Sequence, residues 1–401
     1  MNELLKLSWR NLFRNPRRTL ASLITVGLGS AGLLIYQGFN TGIMNQYREN
    51  TIHGHYGYGQ VFPKGYHGKV LEKPWEAWVE NWTEVEKQLK SVPAIKEVFP
   101  RISFYSFLVK GGVTLGGKGD GIIPERENKF FNQLNFIAGG DIQSDDEIIL
   151  GKGLAESLDA KVGETITLLS QTIHNQLNGI DVRVAGIFHI GVKNIDDSYF
   201  RLNLRQAQSL LNTDRVESFA LDTKGVQYWD EVASGIAEKT PNLEPIRFEI
   251  LDKVYYQNSV DFLAAQFSFI RSIILLIVAL GIFNTIAVGL LERGGEVGAL
   301  RANGESRNRL FRIFVLESSL IGVLGGIFGI FIAFIMWGLL AKGIPMPPGP
   351  GITRQYLIFL EIKPEHLVQA LVLPAVAAVV SSLWPIRKLL GKGIPDLLRS
   401  V

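Results

Sequence analysis

The sequence predicts an α-helical membrane protein with four transmembrane helices and a large extracytoplasmic α+β domain inserted between the first and second helices. Three observations carry this. Four long apolar runs stand apart from one long segment of mixed composition. That segment alternates short helical and strand patterns, as a folded domain does. The basic residues gather beside the apolar runs, all on one side of a four-span arrangement.

Composition narrows the function classes. The 401 residues are 47% hydrophobic and 20% charged, with a formal net charge of +3. So small an excess, placed beside apolar runs rather than on one soluble face, argues against a nucleic-acid partner. The chain has no cysteine, which excludes a disulfide framework, a thiol nucleophile and cysteine metal sites.

The elements follow in order. Residues 1–18 read as a cytoplasmic amphipathic helix. Lys6, Arg10, Arg14, Arg17 and Arg18 are interleaved there with Leu4, Leu5, Leu7, Trp9, Leu12 and Phe13. That pattern suits a helix on the membrane surface with its bases toward anionic lipid. Residues 19–39 form the first transmembrane helix. Its length, and the absence of a small-x-small site before a mature start, weigh against a cleaved signal peptide. Gly27, Gly29, Ser30, Ala31 and Gly32 offer a small-residue face to another helix.

Residues 40–261 form the extracytoplasmic domain, periplasmic in a cell with two membranes. Within it Trp82–Val92 reads as helix, Arg101–Lys110 as strand, and Gly153–Leu169 as helix, glycine turn and strand. Asp181–Gly191 is a further strand and Leu204–Asn212 a short helix. Residues 262–291 are the second transmembrane helix, 292–312 a cytoplasmic loop, and 313–341 the third transmembrane helix. In the third, Gly322/Gly326 and Gly325/Gly329 make two small-xxx-small pairs. Residues 342–366 are an outer loop in which Pro345, Pro347, Pro348 and Pro350 predict a stiff extended hairpin. Residues 367–384, with Pro374, are the fourth transmembrane helix, and 385–401 a cytoplasmic tail. Arg293, Arg301, Arg307, Arg309 and Arg312 in the loop, with Arg387, Lys388, Lys392 and Arg399 in the tail, place the N- and C-termini in the cytoplasm.

The stretch Leu291–Leu324 organises the rest. Val297 and Leu300 sit three apart and share a helical face, with Glu292, Arg293, Glu296 and Arg301 as polar flanks and a turn at Gly304. So short a helix between two spans has no fold of its own to stabilise and reads as a contact for another protein. Glu317, an acid inside an apolar run, reads as an interhelical contact within reach of Arg312 or Arg293, a proton or substrate role being the other reading. Asn284, central in the second span, is placed to hydrogen-bond across a dimer interface or within its own helix.

Other motifs are weaker. Gly112–Gly119, GVTLGGKG, spaces its glycines and lysine like a phosphate loop. Gly119 stands where a hydroxyl must hold Mg²⁺, and Pro124 and polar residues follow instead of a helix, so the reading is a glycine-rich hairpin. His53 and His55 have the alternate spacing of one strand face with His67 near, but no carboxylate falls between them. Asp145, Asp146 and Glu147 read as a solvated turn. No catalytic residue and no metal site is expected.

The string EVGALRANGESRNRLFRIFVLESSLIGVLGG resembles the cytoplasmic loop and following span of ABC-transporter permeases of the macrolide-exporter and lipoprotein-releasing, FtsX-like superfamily. IILGKGLAESLDAKVGETITLLS, VRVAGIFHIGVKNIDDSYFRLNLRQAQSLL and GIIPERE are similar to the outer domain of its lipoprotein-releasing branch. Asn303 replaces an expected apolar residue and Glu164 an aspartate. The resemblance implies that Glu296, Val297, Gly298, Leu300, Arg301 and Ala302 dock on a separate ATPase, which holds ATP and Mg while this chain holds no cofactor. It also implies a second permease chain, identical or homologous, in the bacterial inner membrane. The implied work is mechanotransmission that extracts lipoproteins and passes them to a periplasmic carrier. Two readings stay open beside it: export of drugs, peptides or toxins from the periplasm, and signalling to a cell-wall hydrolase.

Overall fold

The computed structural model describes residues 2–14, 16–69, 73–132, 134–253, 257–347 and 355–398. The chain forms two compact units. Met1–Asn45, Asp261–Pro345 and Leu357–Val401 make one, and Gln46–Val260 with Met346–Tyr356 the other. The first begins with helix α1 (Asn2–Arg14) and helix α2 (Pro16–Thr51). Proline at the start of α2 loses nothing, because the first helical N–H has no partner in any case. The Thr19 hydroxyl donates to the Leu12 carbonyl at 2.5 Å, tying α2 back to α1.

Sequence reading begins the outer domain at residue 40, but α2 runs on to Thr51 and ends in a π-helical turn, Ile52–Tyr56. Hydropathy falls after Phe39, yet residues 40–51 contain no proline and one glycine. Helical hydrogen bonding therefore continues after the need for apolar side chains has ended.

The outer unit contains β1 (Gly59–Pro63), α3 (Tyr66–Lys69), α4 (Trp82–Lys90), β2 (Ile95–Lys110), β3 (Val113–Ile122), α5 (Pro124–Glu127) and β4 (Asn135–Gly139). It continues with β5 (Glu147–Gly151), α6 (Lys152–Ser157), β6 (Thr165–Gln171), β7 (Leu177–His189), α7 (Lys193–Asp196), β8 (Tyr199–Asn203) and α8 (Leu204–Leu211). The last elements are β9 (Ser218–Thr223), α9 (Trp229–Lys239), β10 (Leu243–Arg247) and α10 (Phe248–Leu251). The 16-residue β2 belongs to two assemblies. Its first part, to Arg101, pairs antiparallel with β9 in the order β10-β1-β9-β2. From Ile102 it pairs with β3, and the ladder then passes through β8, β5, β7 and β6 and returns to β2 at Phe107–Val109. The six strands close a barrel. Pro100, which has no N–H to donate, stands beside the changeover from one pairing to the next.

The barrel interior follows the period of two. Phe104 and Leu108 of β2, Ile166 and Leu168 of β6, Val182 and Val184 of β7, and Phe200 and Leu202 of β8 are all buried in one core. The glycine run of β3 is part of that packing. A Cβ at Gly119 would lie 2.4 Å from the Phe200 ring, and one at Gly121 2.4 Å from the Ala207 Cβ. The phosphate-loop lookalike is a hairpin turning at Gly111 and Gly112, both with positive φ. Its later glycines make room for neighbours.

The membrane unit continues with α11 (Asn258–Leu291), α12 (Gly294–Ala302) and α13 (Arg307–Leu339). After a small two-stranded sheet, β11 (Ile344–Met346) with β12 (Tyr356–Ile358), come α14 (Pro364–Gly391) and α15 (Ile394–Leu398). Pro348 and Pro350 of the expected proline hairpin, and Arg399 of the tail, lie outside the described residues. Among the described residues, four helices are long and apolar enough to cross a membrane. The second starts at 258 rather than 262, and α14 spans 364–391 rather than 367–384. Pro364 opens α14 at its first turn, and the helix passes through both Pro374 and Pro385, with Ser382 bonding back to the Val379 carbonyl at 2.7 Å.

The two glycine pairs of α13 serve two different neighbours. A Cβ at Gly322 would lie 2.6 Å from the Ala375 Cα, and one at Gly326 3.2 Å from the Ala370 carbonyl, so this pair admits α14. At Gly325 it would lie 2.5 Å from Val26, and at Gly329 2.5 Å from the Gly27 carbonyl, so the other pair admits α2. The pairs start three residues apart, which sets the two faces about 60° apart around the helix. Gly27 takes part as well, its Cβ position 2.6 Å from Phe328, and Gly29 approaches Val278 of α11. Gly32 does not, since nothing lies within 4 Å of its Cβ position.

Candidate coupling site

The turn from α11 into α12 brings Arg293 under the membrane unit rather than out to solvent. Its Nε donates to Glu296 Oε2 at 2.8 Å and its Nη1 to Glu317 Oε2 at 2.5 Å, and the guanidinium lies 4.9 Å from the Phe314 ring centroid. Glu317 also accepts from Asn11 Nδ2 at 2.6 Å, and Glu296 from Arg14 Nη1 at 2.7 Å. One polar node thus joins α1, α12 and α13. The spacing of Glu317 and Arg293 left two bases in reach of the acid, and the structure pairs it with Arg293. Burying charge is tolerated here because each carboxylate accepts charge-assisted or amide hydrogen bonds on both oxygens.

The other side of α12 rests on the C-terminus. Val297 is fully buried, and a Cβ at Gly298 would lie 3.0 Å from the Leu397 Cβ, so α15 packs directly on the helix. Arg301 Nη1 donates to the Lys392 carbonyl at 2.6 Å and the Leu390 carbonyl at 3.3 Å. Leu300 packs against the same core. Of the residues expected to dock on a partner, Val297 and Gly298 are buried, while Arg301 and Leu300 stay partly exposed. Exposed instead are Glu292, Ala299, Ala302, Asn303 and Gly304, with Gly295 partly so. Gly295, Ala299 and Ala302 follow helical spacing and make a small-residue face. Sequence reading missed Gly295 and Ala299, although the same three-to-four spacing that paired Val297 with Leu300 marks the opposite side. Gly304, with φ of +90°, turns the chain, and the Ser306 hydroxyl caps α13 by accepting from the Arg309 N–H.

The histidines expected on one strand face lie on the π-helical turn and reach separate partners. His53 Nδ1 lies 2.8 Å from the Phe130 carbonyl. His55 Nδ1 is 3.4 Å from the buried Asp120, which accepts from the Tyr199 hydroxyl at 2.5 Å and the Ser103 hydroxyl at 2.8 Å. Burial, reinforced by Arg101, Lys118 and Arg201, outweighs the attraction of Asp120 and pushes the His55 pKa down to about 3. Burial alone would raise the Asp120 carboxyl, but the surrounding positive groups and the Tyr199 hydroxyl hold it down at about 2. Around them Arg101 bonds Glu127 through two nitrogens, at 2.7 and 2.6 Å, and the His55 carbonyl, while Arg201 donates to the Gly54 carbonyl at 3.0 Å. Two buried arginines from barrel strands therefore satisfy the carbonyls at the end of the π turn.

Two family models match this chain. Residues 19–239 match the MacB-like periplasmic core domain and residues 268–394 the FtsX-like permease C-terminal domain. The chain belongs to the FtsX-like ABC permeases. It is 23% identical over 96% of its length to the lipoprotein-releasing system transmembrane protein LolE of Haemophilus influenzae, covering 96% of that protein. It is also 23% identical to the ABC transporter permease YtrF of Bacillus subtilis, over 97% of each chain. The periplasmic region of MacB from Actinobacillus actinomycetemcomitans aligns with 48% of this chain and 90% of its own at 12% identity and a TM-score of 0.36. In this permease Glu292 and Ala302 border the exposed face of α12, and Asn284 is exposed on the surface of α11.

Proposed function

We propose that this permease is the membrane-spanning subunit of an ABC transporter that works by mechanotransmission and extracts lipoproteins from the bacterial inner membrane. The observation that supports it is the coupling site: a short helix held on three sides by α1, α13 and α15, with its remaining small-residue face exposed. A separate ATPase, carrying ATP and Mg, docks on that face. Its closure displaces α12, and the ion pairs to α1 and α13 pass the displacement to the spans. A second permease chain, identical or homologous, completes the complex, with Asn284 exposed for an interhelical hydrogen bond. Both termini and α12 are cytoplasmic, and the released lipoprotein passes to a periplasmic carrier. Relatives named for lipoprotein release favour that cargo.

The test is affinity purification of the solubilised chain with mass spectrometry of what accompanies it. An ATPase and lipidated proteins are expected. An ATPase with an adaptor or a hydrolase would replace the cargo, and no ATPase would overturn the reading. Arg301→Glu breaks the bonds to the Lys392 and Leu390 carbonyls and is expected to abolish permease-stimulated ATP turnover while leaving membrane insertion intact.

A further inference from the structure

Helix α1 carries three adjacent strips. The first packs on α13: Ser8 is fully buried and its hydroxyl donates to the Ile313 carbonyl at 3.2 Å, Leu12 is buried, and Asn11 reaches Glu317. The second is Leu5, Trp9 and Phe13, four residues apart and 48%, 45% and 62% exposed, with the Trp9 and Phe13 rings 5.3 Å apart. The third is Lys6, Arg10 and Arg14, each one residue beyond its apolar neighbour and so about 100° further round the helix. Lys6 and Arg10 are exposed, and among the described residues neither has an ion-pair partner. An uncovered apolar strip beside a basic strip, on a helix already anchored to a membrane span, has the pattern of a helix lying in the bilayer interface.

The geometry points to this strip as a binding surface for acidic phospholipid that sets the strength of ATPase coupling. The inference rests on α12 being the coupling helix. Arg14 ends the basic strip and bonds Glu296 on α12. Arg14 is solvent-exposed and Glu296 partly so, and such pairs stabilise little unless their partners are already held in place. Acidic headgroups on Lys6 and Arg10, with Leu5, Trp9 and Phe13 in the acyl boundary, fix α1 on α13. Arg14 and Asn11 then hold the carboxylates of Glu296 and Glu317, which in turn grip Arg293. Zwitterionic lipid leaves the basic strip unneutralised and the latch loose. The recognised chemistry is the negative charge of the membrane face, so phosphatidylserine should replace phosphatidylglycerol.

The test has two arms. In the first, the full-length chain alone, which is naturally free of cysteine, carries Phe13→Cys with a bimane label in nanodiscs of graded phosphatidylglycerol content. Quenching by spin-labelled lipid should rise with acidic lipid. Lys6→Gln with Arg10→Gln should require more of it, since each base contributes roughly fivefold at an acidic surface. In the second arm, the chain with its co-purified ATPase should show stimulated turnover that rises with phosphatidylglycerol. The double variant should shift that rise to higher content while unstimulated turnover stays unchanged. Arg14→Gln should flatten the rise while keeping the bimane response. A bimane signal indifferent to acidic lipid overturns the surface assignment. A bimane response with flat turnover overturns the regulatory link. If the double variant lowers turnover where lipid charge has no effect on the label, the strip contacts the ATPase and the lipid proposal falls. Because the first arm contains no ATPase, it decides the lipid surface even where the coupling reading itself fails.

Discussion

The Arg293–Glu317 pair offers the sharpest energetic test of the coupling node. Arg293→Met leaves Glu317 buried with the Asn11 amide on one oxygen and nothing charged in place of the guanidinium. Removing one member of a buried pair costs about 3–5 kcal/mol, because the other charge stays out of water uncompensated. Glu317→Leu is gentler, near the lower end of that range, since Arg293 keeps Glu296 at 2.8 Å and the Phe314 face at 4.9 Å. The double variant leaves no buried unpaired charge of this pair, and well-packed apolar replacements are near neutral. It should therefore cost far less than the sum of the singles, a coupling of about 3 kcal/mol or more. The assay is a double-mutant cycle on denaturant midpoints of the full chain in detergent, with slopes checked for constancy. Singles within about 0.5 kcal/mol of the parent would mean that water already reaches the pair. A double variant as damaging as the sum would mean that the two residues act independently. Either result would refute the node as a coupled unit.

Three further outcomes are expected. Gly325→Leu should destabilise the membrane unit by about 2 kcal/mol or more, because the Cβ alone meets Val26 at 2.5 Å; Gly32→Leu, with open space around it, should be tolerated, and equal effects would discard the packing argument. Native His55 takes a proton only near pH 3 whereas the unfolded residue does so near 6.5, so stability is full above about 6.5 and falls as pH drops toward 3. Asp120 adds a loss of the same sign between 3.8 and about 2. Thermal unfolding of the full chain should show this slope, and His55→Asn should reduce it in the upper window. Cysteines introduced singly at the exposed Lys224 and Asn308 should label from outside and inside the cell respectively, and the reverse would overturn the proposed orientation.

How much of this was readable beforehand depends on the range of the interactions. The spans are local patterns of hydropathy and were visible, as were the α13 glycine pairs, whose spacing alone makes two faces. Which neighbour each face meets was not, because Val26 and Ala375 lie far away in sequence. The same limit reversed part of α12. Val297 and Leu300 mark an apolar face in any helix, but only the position of α15 decides that this face is largely internal, with Ala299 exposed and Gly295 partly exposed on the other side. His53 and His55 fit a strand period of two. The helix instead continued through residues 40–51, where hydropathy had already fallen, and delivered them on a π turn. Closure of the barrel was not legible, since it rests on β6 returning to β2 across some sixty residues.

Strand β2 has a mechanical meaning. Sixteen residues at ~3.3 Å each make a beam of ~53 Å, laddered to β9 at one end and to β3 and β6 at the other. A jaw needs a joint whose backbone torsions can change cheaply, and such joints sit in loops or at element ends. Here the crossing point between the two assemblies is the middle of a strand, where bending would tear hydrogen bonds from both. The outer unit is thus braced along β2: one unbroken strand is shared by both assemblies, and neither can bend away from the other without losing pairing in the middle of that strand.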